Sequence, residues 1–339
     1  MNSNPDRSFT AQAMLAVLLL ATFLTVPAWA DKGVIFLASV ALVQIVFALS
    51  FNMVFGLTGM VSFGHAAYFA IGAYACGLLL RNVQGMSIFG ALAAGGVAGG
   101  LLALVIGLIA LRRASGNYFA ILTLAFAEML HILIAKTPWF GREDGLTNIR
   151  RPSIDIAGFA ELNLNEGNAT YYFTLAVSAL LVAGAWIVWN SSMGRRLAAV
   201  RQEPDRAAFL GIDVHRARLT AFTLSGMGAG FAGALYAPLA QLLTPEVAAW
   251  HFSAMPILYC LLGGVAIFWG PLVGVVAFMG LEHATRNIVG LSEVVIGATL
   301  LAVVLVFPGG LAGAVVRLRQ LARGRSERAA VLRVQGGQA

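Results

Sequence analysis

The chain is short of charge, of lysine and of cysteine, and each shortage closes off a class of function. Only 11% of its 339 residues are charged and 59% are hydrophobic, so one soluble core cannot hide its apolar side chains. Lysine occurs only as Lys32 and Lys136, and neither ends a G-x-x-x-x-G-K-[ST] loop, so if ATP drives this protein another chain binds it. The two cysteines, Cys76 and Cys260, fall in separate apolar runs and read as small buried hydrophobes, not as a disulfide or a metal pair. H-E-x-x-H, paired cysteine spacings and G-x-S-x-G are also missing. Ser62-Phe63-Gly64-His65 sets a hydroxyl near an imidazole but offers no carboxylate to orient it. The chain therefore reads as no enzyme, with no catalytic residues, no metal site and no cofactor.

What is present is apolar sequence, in runs at 11–29, 34–56, 57–80, 86–111, 117–136, 171–189, 217–243, 252–285 and 288–308. A spanning helix needs about 20 such residues, and only helices or closed barrels satisfy their backbone in lipid. These runs predict an all-α polytopic membrane helical bundle. In the first run, Arg7, an apolar middle and Ala28-Trp29-Ala30 imitate a cleavable signal, but the apolar stretch is longer than such signals use, which favours a retained span.

The net charge of +7 is unevenly placed. Arg112 and Arg113 form one basic connection, and Arg195, Arg196, Arg201, Arg206, Arg216 and Arg218 crowd a second. The tail adds Arg317, Arg319, Arg323, Arg325, Arg328 and Arg333. The positive-inside rule puts all three in the cytoplasm. A basic run beside a membrane sets topology and touches anionic lipid, so no nucleic-acid partner is expected. The mixed-charge connection 137–170 is expected outside. The expected division is a permease domain at 1–316, with that outer loop and a cytoplasmic loop at 190–218, and a basic tail at 317–339.

Parity then decides one run. An even number of crossings must separate the second basic connection from the tail, yet hydropathy offers three runs. As one helix, 252–285 would reach about 51 Å against a hydrocarbon core of about 30 Å. Its middle, LLGGVAIFWGPLVG, holds Gly263-Gly264 and Gly270-Pro271, which loosen a helix and remove a donor. We split it into half-helices at 252–267 and 270–285, as a re-entrant hairpin or a pair of short crossings. About ten transmembrane segments result, with both termini cytoplasmic.

The stretch GLTGMVSFGHAAYFAIGAY, residues 56–74, is punctuated in the same way. Broken backbone at membrane depth persists where protein or a water-filled cavity satisfies it. One glycine-broken segment in each half, entering from opposite sides, is the pattern of an inverted repeat around a central pathway. Phe63-Gly64 and Trp269-Gly270 are the matching marks. The alternative is that these glycines only let helices pack closely. Ser62, Tyr118 and Thr123 are polar enough to touch a solute, and His65 is either a satisfied bundle histidine or a solute contact. Glu128 and His131, three apart on one helix face, make either a structural pair or the proton relay of a secondary carrier.

In the second basic connection, Glu203-Pro204-Asp205 opens and Gly211 ends a short helix that leaves Ala207, Ala208 and Leu210 available for docking. This helix resembles the coupling helix, or EAA loop, of ABC importer permeases. LSFNMVFGLTGMVSFGHAAYFAIGAY, SGNYFAILTLAFAE, GREDGLTNI and LLGGVAIFWGPLVG together resemble the signatures of the branched-chain amino acid ABC transporter permease family, over residues 49–274. The long outer loop is similar to LivM-type subunits more than to their LivH-type partners.

The departures are Asp205 for a usual glutamate, Arg206 for a usual alanine, Arg142-Glu143 before Asp144 where a glycine is usual, and Pro256 with Ile267-Phe268. The resemblance implies a bacterial inner-membrane permease subunit for branched-chain or related amino acids. It would work with a LivH-type second permease, two ATP-binding subunits and a periplasmic solute-binding protein. Urea and short-amide importers share the fold and keep the solute open. The implied pathway residues are Gly59, Ser62, Phe63, Gly64, His65, Tyr118, Thr123, Gly263, Gly264, Gly270 and Pro271. The implied contacts to the ATPase are Glu203, Asp205, Ala207, Ala208 and Gly211.

Overall fold

The computed structural model describes residues 19–314 apart from 115, 157–159, 286–291 and 308. Arg7 and the tail at 317–339 lie outside the described residues. The chain forms α1 (Leu19–Trp29), α2 (Lys32–Thr58), α3 (His65–Asn82), α4 (Ile88–Arg113), α5 (Asn117–Lys136) and α6 (Gly167–Asn190). There follow α7 (Ser192–Gln202), α8 (Pro204–Phe209), α9 (Val214–Ala240), α10 (Trp250–Gly263), α11 (Gly270–Thr285) and α12 (Ser292–Val306). Between α5 and α6 a small antiparallel ribbon pairs β1 (Ile154–Ile156) with β2 (Ala160–Leu162), Ile154 opposite Leu162. The protein is an all-α polytopic membrane bundle. Among the described residues four helices, α2, α4, α5 and α6, are individually long and apolar enough to cross a bilayer. The rest of the transmembrane body is shorter or glycine-rich.

Contacts fix the direction of each helix. The connection after α5 lies at one end of the bundle, where Gly77 of α3 approaches Leu146, Ile149 and Leu243. We call this the loop end. α7 and α8 lie at the other, basic end, where Leu57 of α2 packs with Leu197 of α7 and Ala221 of α9. α2 thus runs towards the basic end and α9 away from it, antiparallel, with Ser225 of α9 donating to the carbonyl of Ser50.

The run at 252–285 is divided as the glycines require. α10 stops at Gly263, 264–269 turns, and α11 returns. The turn reaches the basic end, since Ala266 lines a cleft with Arg195 and Arg201. α10 and α11 are therefore two short antiparallel helices that meet at the basic end. Gly310, beyond α12, packs on Gly264 at the same end.

The glycines serve two separate purposes. A Cβ on Gly72 would collide with the backbone of Gly230, and one on Gly99 with the carbonyl of Gly226, so α3, α4 and α9 touch backbone to backbone. Gly263, Gly270 and Gly274 do the same between α10 and α11. The glycines at 59 and 64, in contrast, bound a real break in the helix.

α2 and α9 each have 27 residues, and each is followed by an irregular segment and then a shorter helix, α3 or α10. The partner of the break at 59–64 in an inverted arrangement is therefore 241–249, at the start of α10. The sequence expectation matches it instead to 264–269, which is a tight turn between packed helices. Cys76 and Cys260 are both free and buried.

Candidate functional site

The break at 59–64 opens where α2 ends. Gly59 takes a left-handed φ of 73° and closes α2 by donating its backbone N–H to the Phe55 carbonyl. Arg201 of α7 donates to the carbonyl of Gly56, and its Cγ lies 3.3 Å from where a Cβ on Gly59 would be. The second basic connection thus touches the start of the break directly.

At the far side of the break, α3 starts without a capping side chain of its own, because Gly64 stands at that position. Its amides are satisfied by other elements. The Phe63 amide donates to Thr123 Oγ1 of α5 at 3.2 Å, and the Ala66 amide donates to Ser253 Oγ of α10 at 2.9 Å. Gly64 is required by this approach, since a Cβ there would sit 2.5 Å from the Thr123 carbonyl oxygen. Ser62 is buried and its hydroxyl accepts from the Gly64 amide, while Phe63 is 37% exposed.

His65, the first residue of α3, is fully buried among Phe47, Phe51 and Tyr68. Its Nε2 lies 3.2 Å from Ser50 Oγ and 3.3 Å from Ser225 Oγ. Both hydroxyl protons are already used: Ser50 donates to the Phe47 carbonyl and Ser225 to the Ser50 carbonyl. Nε2 must therefore carry the proton and donate to both oxygens, joining α2, α3 and α9. Nδ1 is left as a buried acceptor with no partner in the described residues.

The second break, 241–249, is held from the loop. Leu146 and Leu243 exchange backbone bonds, the Tyr74 hydroxyl donates to the Leu243 carbonyl, and Gln241 takes a left-handed φ of 59°. Arg151 donates from Nε and Nη2 to the Pro238 and Leu239 carbonyls at the end of α9. The GREDGLTNI motif is thus a brace for this break. Lys136, the last residue of α5, donates to Glu143 of this motif and holds that carboxyl below its usual pKa range. Arg142, where a glycine was expected, has a left-handed φ of 55°.

α10 also begins without its own cap, and the Trp250 amide donates to Glu128 Oε1 of α5 at 3.0 Å. Glu128 Oε2 lies 3.4 Å from His131 Nδ1.

The structure therefore gathers Gly59, Ser62, Phe63, Gly64, His65 and Thr123 at one place, and adds Ser50, Ser225 and Ser253, which single hydroxyls in apolar runs did not signal. Tyr118 projects outward, 77% exposed. Gly263, Gly264, Gly270 and Pro271 form the separate turn beside the basic end. In α8, Glu203 and Pro204 open the helix and Gly211 follows it with a φ of 81°. Asp205 and Ala208 are exposed, but Ala207 is buried against the chain. A helix this short has one inward face, and Ala207 occupies it. The projecting apolar groups are Phe209 and Leu210.

Residues 33–304 match the family described as branched-chain amino acid transport system / permease component. This chain belongs to that family. It is 27% identical over 325 residues to the high-affinity branched-chain amino acid transport system permease protein LivM of Escherichia coli K12, covering 90% of this chain and 76% of that one. The LivH permease protein of the same system in that organism is 24% identical over 281 residues, covering 78% and 90%. A shorter likeness, 36% over 111 residues and 32% of each chain, links it to the autoinducer 2 import system permease protein LsrC of Klebsiella pneumoniae. No solved structure matches the chain.

Proposed function

We propose that the chain is the LivM-type permease subunit of an ATP-driven ABC importer that moves branched-chain amino acids across the bacterial inner membrane. The observation that carries this reading is the family match over 33–304, which takes in both breaks and the α7–α8 connection together. The partners are a LivH-type permease, two ATP-binding subunits and a periplasmic solute-binding protein. The basic end, with α7 and α8, faces the cytoplasm by the positive-inside rule, the 137–170 connection faces out, and the expected side for both termini is the cytoplasm.

In this reading the ATP-binding subunits bear on α8 through Glu203, Asp205, Ala208, Phe209, Leu210 and Gly211. Ala207 anchors α8 to the body. Motion passes through α7, and Arg201 delivers it to Gly56 and Gly59, where α2 gives way to the break. The solute passes along Ser62–Thr123 and the exposed Phe63, with Tyr118 on the outward flank of α5 and the 263–271 turn closing the basic end. Carbonyls and helix ends at a break suit the ammonium and carboxylate of an amino acid.

The test is uptake in cells lacking their own leucine importer, expressing this chain with its permease partner, ATPases and binding protein. Labelled leucine should accumulate only when all are present. Uptake by this chain alone would replace the ABC reading with a secondary carrier, and preference for labelled urea would move the solute class.

A further inference from the structure

Both broken helices begin without a cap of their own, and α5 holds a backbone amide at the entry to each. Thr123 accepts from Phe63 just before α3, and Glu128 accepts from Trp250 at the start of α10. Five residues separate the two along α5, about 7.5 Å of helix. The triangle is closed directly, because Ser253 of α10 accepts from Ala66 of α3. Thr123 is itself tied down, its hydroxyl donating to the Ala120 carbonyl. Glu128 is steadied by His131 one turn on. Three helices are thus linked through backbone amides at the entries to α3 and α10.

From this geometry we propose that α5 is a strut that makes the two broken segments move as one body, with Glu128 as a positioning residue for solute passage. Glu128 acts as a hydrogen-bond acceptor at the α10 amide and passes no proton. The inference rests on the pathway reading above, and it assigns to Glu128 and Thr123 a role that the pair Glu128–His131 did not suggest. An acceptor suffices for this role, so an amide can replace the carboxyl group. A carboxyl group needed for proton transfer cannot be replaced in that way.

The experiment uses the complete transporter in proteoliposomes, with Glu128→Gln, Glu128→Ala and Thr123→Val, each also combined with Phe63→Cys for labelling by an aqueous thiol reagent. Glu128→Gln should keep most of the leucine uptake, whereas Glu128→Ala and Thr123→Val should each lose about fivefold, the loss of one hydrogen bond at a helix entry. The double variant Glu128→Ala/Thr123→Val should lose less than the product of the singles, because either release frees the same strut. Labelling of the thiol introduced at position 63 should change between nucleotide states in the parent and in Glu128→Gln, and should stop changing in Glu128→Ala.

A purely local role for Glu128 would leave labelling at the distant break as it was, and that result overturns the proposal. So does loss of uptake in Glu128→Gln equal to that in Glu128→Ala. If Glu128→Ala does not assemble, Glu128→Gln and Thr123→Val carry the comparison. Absence of leucine uptake by the parent transporter would instead count against the pathway reading, and the labelling at position 63 would still judge the strut.

Discussion

The guanidinium of Arg201 donates to the backbone carbonyl of Gly56, a residue 145 positions earlier in the chain. This bond ties the helix next to α8 to the last turn of α2, three residues before the break at 59–64 begins. A hydrogen bond to a charged group contributes about 1.5–3 kcal/mol, enough to shift a two-state element roughly tenfold or more. Arg201→Ala should therefore leave the complex assembled and ATP hydrolysis running while leucine uptake falls about tenfold. Arg201→Lys should recover part of it. The ratio of ATP hydrolysed to leucine moved is the measurement, and an unchanged ratio would refute transmission through this contact.

Phe209 is 91% exposed and Leu210 75%, on a helix that has no other large apolar side chain turned outward. Centrally placed aromatic anchors commonly carry about 2 kcal/mol or more of an interface. Phe209→Ser should weaken capture of the ATP-binding subunits by roughly thirtyfold, with the permease inserted and folded as before. Ala208→Ser should change little. Pull-down of the ATPases from detergent extracts distinguishes the two. Equal capture by both variants would mean that another surface docks them.

Gly72 and Gly184 both lie within helices, but only Gly72 meets another backbone. Forcing a methyl group into such a contact costs about 1–3 kcal/mol. Gly184 has nothing within 4 Å, so alanine there gains helix propensity at no steric cost. Thermal unfolding in detergent should show Gly72→Ala clearly less stable than the parent and Gly184→Ala equal or slightly more stable.

Arg142 holds a left-handed backbone that costs a non-glycine residue about 1–2 kcal/mol. Glycine relieves this cost but gains freedom in the unfolded chain, which returns up to about 1 kcal/mol. The net expectation for Arg142→Gly is a small rise in unfolding midpoint, with uptake unchanged. A fall would mean that the exposed side chain contributes more than its backbone costs.

The sequence carried much of this architecture because its information is local. Gly263-Gly264 loosens a helix and Gly270-Pro271 suits the start of the next one, and an even crossing number is expected from where arginines cluster. The glycines at 59–64 likewise announce a break. What holds the breaks is a different matter. Thr123 accepts from the amide of a residue 60 positions away, and Glu128 from one 122 positions away. No periodicity links such pairs, and Ser50, Ser225 and Ser253 look like ordinary fillers of apolar helices until the bundle closes. The glycines of 56–74 also divided between breaking and packing, a distinction that depends on what lies opposite each one.

His65 gives the most direct test of the packed interior, because the direction of its hydrogen bonds follows from counting protons. Ser50 and Ser225 have each spent their single proton on a carbonyl, so each offers the imidazole only a lone pair. Nitrogen-15 spectra of labelled histidine should show His65 protonated at Nε2 and bare at Nδ1. Ser50→Ala or Ser225→Ala alone leaves Nε2–H one acceptor, a loss of about 1 kcal/mol. Removing both strands a buried donor, which costs about 1–3 kcal/mol beyond the first loss, so the double variant should be worse than the sum of the singles. Additive losses, or a proton found on Nδ1, would mean that the hydroxyls donate to the ring, and the link between α2, α3 and α9 would then run in the opposite sense.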